Sequence, residues 1–145
     1  MKKIIRWIPA IAVMVIIFLF SQQSGVDSKQ LSVKVADGMF GILRRKVFIE
    51  SYITPIRKCA HFLIYSLLGV SVMYALIGYK LKAFKMYGIC AGICFLYAAF
   101  DEFHQMFVPD RGPMVTDVLI DSAGAFLGGA AVLAVYLKVM KRKRA

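Results

Sequence analysis

The sequence predicts an all-α polytopic membrane protein: four transmembrane helices plus an amphipathic helix at the outer membrane interface. Three observations carry this. The chain is 60% hydrophobic with a mean hydropathy of +0.70, too apolar for an ordinary soluble domain of 145 residues. Four apolar runs are long enough to cross a bilayer. The basic residues gather at the ends of those runs. At this length the chain, 1–145, is expected to be a single domain.

The first span runs from about Ile4 to Phe20, behind Lys2, Lys3 and Arg6. A cleaved signal peptide competes, but Ser21-Gln22-Gln23-Ser24-Gly25 offers no small-x-small cleavage site, which favours an uncleaved signal anchor. The second span runs from about Pro55 to Tyr79, with Thr54 as N-cap and Pro55 at the first helical position. The third runs from about Phe84 to Phe107. Val108-Pro109-Asp110-Arg111-Gly112-Pro113 then makes a tight connection. The fourth runs from about Met114 to Leu137 and ends in Lys138, Lys141, Arg142, Lys143 and Arg144.

Between spans one and two, Leu31, Val35, Met39, Ile42 and Leu43 fall at helical spacing, with Asp27 or Ser28 as cap. The stretch Val26 to Ser51 therefore reads as the interfacial helix, followed by Arg44-Arg45-Lys46; a helix that merely packs over the bundle is the alternative. With both termini cytoplasmic, 11 Lys/Arg lie inside and 8 outside. That bias is modest. The short flanks are decisively basic, however, and they carry most weight in orientation.

Lys+Arg number 19 against 8 Asp+Glu, a formal charge of +11. Because the cations flank apolar segments, the partner they imply is anionic lipid, not nucleic acid. Cys90 and Cys94, at i and i+4 in an apolar run, read as small core hydrophobes, and Cys59 stands alone. Neither a disulfide framework nor a CxxC zinc site is expected, and no cofactor is.

The informative residues are polar ones beside greasy segments. Arg57, Lys58 and His61 begin span two, with Tyr65 continuing the Arg57–His61 stripe. Asp101, Glu102, His104 and Gln105 end span three; Arg111 is in the loop; Asp117 and Asp121 begin span four. All share one membrane depth in this topology, the outer leaflet. Intramembrane acids are costly and usually functional. Gly124 and Gly128 continue the acidic stripe as a GxxxG step, which draws it toward another helix or seats a second copy. Arg57 and Lys58 in a first helical turn would oppose the helix dipole. A partner acid (Asp101, Glu102 or Asp117) or an external anion would offset that; snorkelling to headgroups is the plainer use.

Such a cluster can do acid–base work, with Glu102 and His61 as candidate acid or base. Yet HExxH, Ser-His-Asp and Gly-rich phosphate signatures are absent from the sequence. A buried ion network that only fixes helix register is the plainer reading.

These pieces carry a resemblance. Ser21-Gln22-Gln23-Ser24-Gly25, Arg57-Lys58-Cys59-Ala60-His61-Phe62 with Tyr65, Asp101-Glu102-Phe103-His104-Gln105-Met106-Phe107-Val108-Pro109-Asp110-Arg111, and Asp117-Val118-Leu119-Ile120-Asp121 with Gly124 resemble the VanZ-like family of small bacterial membrane proteins. The chain departs at Asp121, where the family pattern often has Asn, and at Asp110, where it often has Gly. The resemblance implies an envelope protein of the bacterial cytoplasmic membrane, connected with resistance to the glycopeptide teicoplanin. It carries over no reaction.

Two expectations follow. One is a non-enzymatic protein whose outer-leaflet site (Arg57, Lys58, His61, Tyr65, Asp101, Glu102, His104, Gln105, Arg111, Asp117, Asp121) binds an anionic lipid or peptidoglycan-precursor headgroup. The other is an enzyme acting on a polyprenyl-phosphate or other lipid headgroup. A transporter fits less well, since the polar groups lie at one face only.

Overall fold

The structure is a computed structural model that describes residues 2–40, 46–79, 81–112 and 114–143, without the side chains of residues 2, 27, 36–40 and 46–53. Among the described residues six helices follow in order: α1 (Lys2–Ile5), α2 (Ile8–Ser21), α3 (Gly25–Phe40), α4 (Lys46–Ile77), α5 (Ala83–Gln105) and α6 (Val115–Arg142). Four apolar stretches among the described residues are long enough to span a membrane: Lys3–Ser21, Thr54–Ile77, Ala83–Gln105 and Val115–Arg142. The expected all-α class and its four spans are present.

The first span is two helices because of Pro9. A proline ring clashes with the carbonyl four residues earlier. That residue is Ile5, where α1 ends, and a turn at Arg6–Trp7 restarts the chain. Pro55 behaves differently. It lies inside α4, which begins at Lys46, so Thr54 is not an N-cap and Pro55 is not the first helical residue. Proline is tolerated within long membrane helices, whose neighbours hold them in place, and α4 packs against α2, α3, α5 and α6. At 1.5 Å per residue its 32 residues extend about 48 Å, well beyond a ~30 Å hydrocarbon core.

Of the stretch Val26–Ser51, residues 26–40 lie in α3 and residues 46–51 in α4. On α3 the buried positions are Gly25, Ser28 and Ser32, and Leu31 and Val35 of the apolar stripe are exposed. The serine face is thus the one that packs. Ile42, Leu43, Arg44 and Arg45 lie outside the described residues.

The core is a continuous stripe from each long helix. Ala10, Val13 and Ile17 come from α2, Tyr65, Leu68, Val72, Met73 and Leu76 from α4, Met86, Cys90, Cys94 and Ala98 from α5. Cys90 and Cys94 are buried free thiols, as their spacing suggested, and Cys59 is exposed. The opposite faces carry exposed Phe84, Leu96, Phe107, Val115, Leu127 and Val135. Such surfaces are a liability in water and suit contact with lipid.

The closest approach is between α4 and α6. A Cβ on Gly124 would overlap the Phe62 carbonyl oxygen, one on Gly128 that of Ser66, and one on Gly69 that of Ala125. Small residues let membrane helices meet backbone to backbone. Gly124 and Gly128 are therefore occupied within the chain and are not free to seat a second copy through this face. At the basic end, Trp7 Nε1 donates to the Tyr79 hydroxyl at 3.0 Å, and Arg6 lies over the Tyr74 ring. This ties the start of span one to the end of span two.

Candidate functional site

The polar residues meet at the other end of the bundle because buried stripes continue into them. On α5 the stripe Met86, Cys90, Cys94, Ala98 runs on into Asp101, Glu102 and Gln105, all buried. On α6, Asp117, Asp121, Ser122, Gly124 and Gly128 share the inward face. On α2 the stripe Ala10, Val13, Ile17 ends in buried Ser21.

Two sides can be distinguished. On the α4–α6 side, Arg57 Nη2 and Lys58 Nζ each lie 3.9 Å from an Asp117 carboxylate oxygen. Asp117 stands in the first turn of α6, where the helix dipole favours an acid. The expectation that Arg57 and Lys58 oppose a helix dipole fails, because they lie well inside α4; their compensation comes from Asp117. Glu102 faces the same side. Its Oε1 accepts the backbone N–H of Met114, the residue that caps α6, and so ties the loop after α5 to its own helix.

The other side is a cavity of about 230 Å³ between α2, α3, α4 and α5. Ile17, Phe20, Leu31 and Ile64 make its walls; Ser21, His61, Tyr65, Asp101 and Arg111 make its polar part. Asp101 Oδ2 accepts from Gln105 Nε2 at 3.2 Å. The hydroxyls of Ser21 and Tyr65 adjoin the same carboxyl. Even so, Asp101 Oδ1, Ser21 Oγ, Tyr65 OH and Arg111 Nε are buried with no hydrogen bond among the described residues. Buried polar atoms are nearly always paired, so four convergent exceptions at one cavity point to something that pairs with them. Burial and the nearby Arg57 lower the Arg111 pKa, while Asp101 and Glu102 raise it. An arginine keeps its proton under either influence.

His61 joins the two sides. Its Nδ1 lies 3.3 Å from Asp121 Oδ1 and 3.4 Å from Oδ2, and its ring borders the cavity. His104 is set apart: it packs on the Phe18 ring, centroids 4.9 Å apart, and does not line the cavity. Among the described residues no group of three or more His, Cys, Asp or Glu is placed to hold a metal.

Comparison with known proteins finds that the VanZ/LLP1 family profile matches residues 6–137. The chain belongs to the VanZ/LLP1 family. Neither curated proteins nor solved structures yield a match. Within this VanZ/LLP1 protein, the Ser21–Gly25 piece acquires a physical role. Gly25 N–H donates to the Pro109 carbonyl at 3.1 Å, and a Cβ there would overlap the Asp110 carbonyl oxygen. The Ser21–Gly25 segment is thus the seat of the loop that carries Arg111. Asp110 has φ 58°, a left-handed conformation that glycine adopts freely and Asp tolerates. That fits a position where the family pattern often has Gly.

Sequence reasoning did not single out Ser21 or Ser122 as site residues. The signal for Ser21 was available: it is i+4 from Ile17 on the inward stripe of α2. Ser122, also buried with an unpartnered hydroxyl, is adjacent to Asp121 and off its i, i+4 stripe, so periodicity did not reach it.

Proposed function

We propose that this VanZ/LLP1 protein is a cell-envelope protein of the bacterial cytoplasmic membrane that lowers susceptibility to the glycopeptide teicoplanin. Both termini are inside and the polar end faces out. There the cavity and its flanking cations hold the headgroup of an anionic lipid or a peptidoglycan precursor, and occupancy limits access of lipophilic glycopeptides to their target. The observation that carries the reading is the cavity itself: greasy walls, a cation at Arg111, and unpaired polar atoms on its floor. A pocket that is mostly apolar, with a few convergent polar groups, is the usual form of a small-ligand site. The exposed Leu31 and Val35 of α3 suit a helix lying against lipid.

The test is binding of fluorescent teicoplanin to susceptible bacteria expressing the chain or Arg111→Ala at equal protein level. Wild type lowers the bound signal and Arg111→Ala restores it to the vector level; a wild-type chain without effect refutes the role. Orientation has its own check. Gly112 is exposed, and a Cβ there meets nothing within 4 Å. Gly112→Cys should take a membrane-impermeant maleimide in intact cells, whereas Lys143→Cys should need permeabilised ones. The reverse pattern inverts the topology.

One observation favours a second reading, an enzyme acting on a polyprenyl-phosphate or other lipid headgroup. His61 borders the cavity and is oriented by Asp121, the relation of a general base to the carboxylate that positions it. Arg111 would then stabilise developing phosphate charge. Purified protein in lipid should alter such a substrate by mass spectrometry. No turnover across a panel of envelope lipids, with or without divalent metal, removes this reading.

A further inference from the structure

The polar end is not a simple anion trap. Among the described side chains, Arg57, Lys58 and Arg111 stand close to four carboxylates, Asp101, Glu102, Asp117 and Asp121. Arg57 and Lys58 already face Asp117. What the cavity leaves open is a mixed set: one carboxylate oxygen that only accepts, and two hydroxyls and a guanidinium N–H that can donate. Asp101 Oδ1 is buried in a residue 2% exposed, and it has no donor. Beside it, Tyr65 at 0% and Ser21 at 3% exposure present hydroxyls that can donate or accept, and neither is paired. Ile17, Ile64 and Phe20 line the same cavity and favour an occupant whose apolar part covers those walls.

We infer that the cavity takes a lipid whose headgroup carries free hydroxyls, of the sugar or glycerol kind. A headgroup hydroxyl donates to Asp101 Oδ1, and Tyr65 and Ser21 bond to its neighbours. Arg111 Nε supplies the one unpaired charged donor, to a hydroxyl or phosphate oxygen. The hydrocarbon leaves along Ile17, Phe20, Leu31 and Ile64, of which Phe20 and Leu31 are also open to the surroundings. A bare phosphate headgroup would satisfy Arg111 and leave Asp101 facing a like charge. This inference rests on the proposed function's reading of the cavity as the ligand site, and it adds the chemistry of the ligand.

The experiment is native mass spectrometry of the detergent-solubilised full chain, titrated with three lipids of matched acyl chains: phosphatidylglycerol, monoglucosyl-diacylglycerol and phosphatidic acid. Wild type should bind the two hydroxylated lipids at least about tenfold more tightly than phosphatidic acid, the scale of one hydrogen bond to a charged group. Asp101→Asn, which can still accept from Gln105, should bring the three lipids to within about threefold of one another. Tyr65→Phe removes the hydroxyl that adjoins Asp101 and should lose part of the preference. Ile64→Trp, which fills the wall, should abolish binding of all three. If phosphatidic acid equals the others in wild type while Ile64→Trp still blocks binding, a headgroup site remains and the hydroxyl inference falls. If Ile64→Trp changes nothing, the cavity is not the ligand site and both readings fall.

Discussion

Gly128→Leu is expected to leave little folded protein. Even the first carbon of that side chain would overlap the Ser66 carbonyl oxygen on α4. Nothing flexible is available to move aside, because the atom it meets is backbone. The same collision waits one turn away, at Gly124 with Phe62, and from the other helix at Gly69 with Ala125. Three such contacts in register mean that α4 and α6 cannot part locally; they must part along their length. In a bilayer helix association depends on this packing, since lipid is as apolar as the helices. Overpacking a tight contact costs about 1–3 kcal/mol where side chains can adjust, and a backbone collision should exceed that. Separating α4 from α6 also parts Asp117 from Arg57 and Lys58, and Asp121 from His61. Fluorescence-detected size-exclusion chromatography should show the monodisperse peak lost in Gly128→Leu and retained in Gly92→Leu, where a Cβ meets nothing within 4 Å. Equal behaviour of the two would mean that α4 and α6 do not meet at this distance.

Glu102 should separate cleanly by substitution. Its Oε1 accepts the Met114 N–H, which holds the far end of the loop bearing Arg111, while Gly25 holds the near end. Glu102→Ala removes the acceptor and leaves a partly buried donor unpaired, at a cost of about 1–3 kcal/mol. The melting temperature in detergent should fall by several degrees, and the effect on teicoplanin binding should disappear with the loop's position. Glu102→Gln keeps a carbonyl oxygen where the bond needs it. It should melt close to wild type and retain the teicoplanin effect. A Gln variant that folds normally but has no effect would instead make the Glu102 carboxyl a participant, as the enzyme reading with Glu102 as acid or base requires. The pair of variants thus divides a positioning role from a chemical one.

Much of the architecture was legible because a membrane simplifies the code. A span must be long and apolar, its polar flanks mark its ends, and these features are local in sequence. The four spans appear within a few residues of their expected limits. The helix ends were read less well where proline was the guide. Pro9 breaks its helix and Pro55 does not. The difference lies in what packs against the chain, and a single segment does not contain that information.

The site shows the same division. Sequence alone determined which residues come together: acids at the inner face of α5 and α6, and a His–Tyr stripe on α4, meeting at one end of the bundle. Helical periodicity and span limits suffice for that, since both are set by the chain's own spacing. Only the tertiary structure decided how they are paired. It sent Arg57 and Lys58 to Asp117, His61 to Asp121 and Glu102 to a backbone N–H, and set His104 against Phe18. It also brought Ser21 and Arg111 to the cavity where Asp101 stands. Pairing depends on how far each helix is rotated and how closely it approaches. In this bundle those are decided by glycines on α4 and α6 and by the docking of Gly25 under the loop, contacts between residues far apart in the chain.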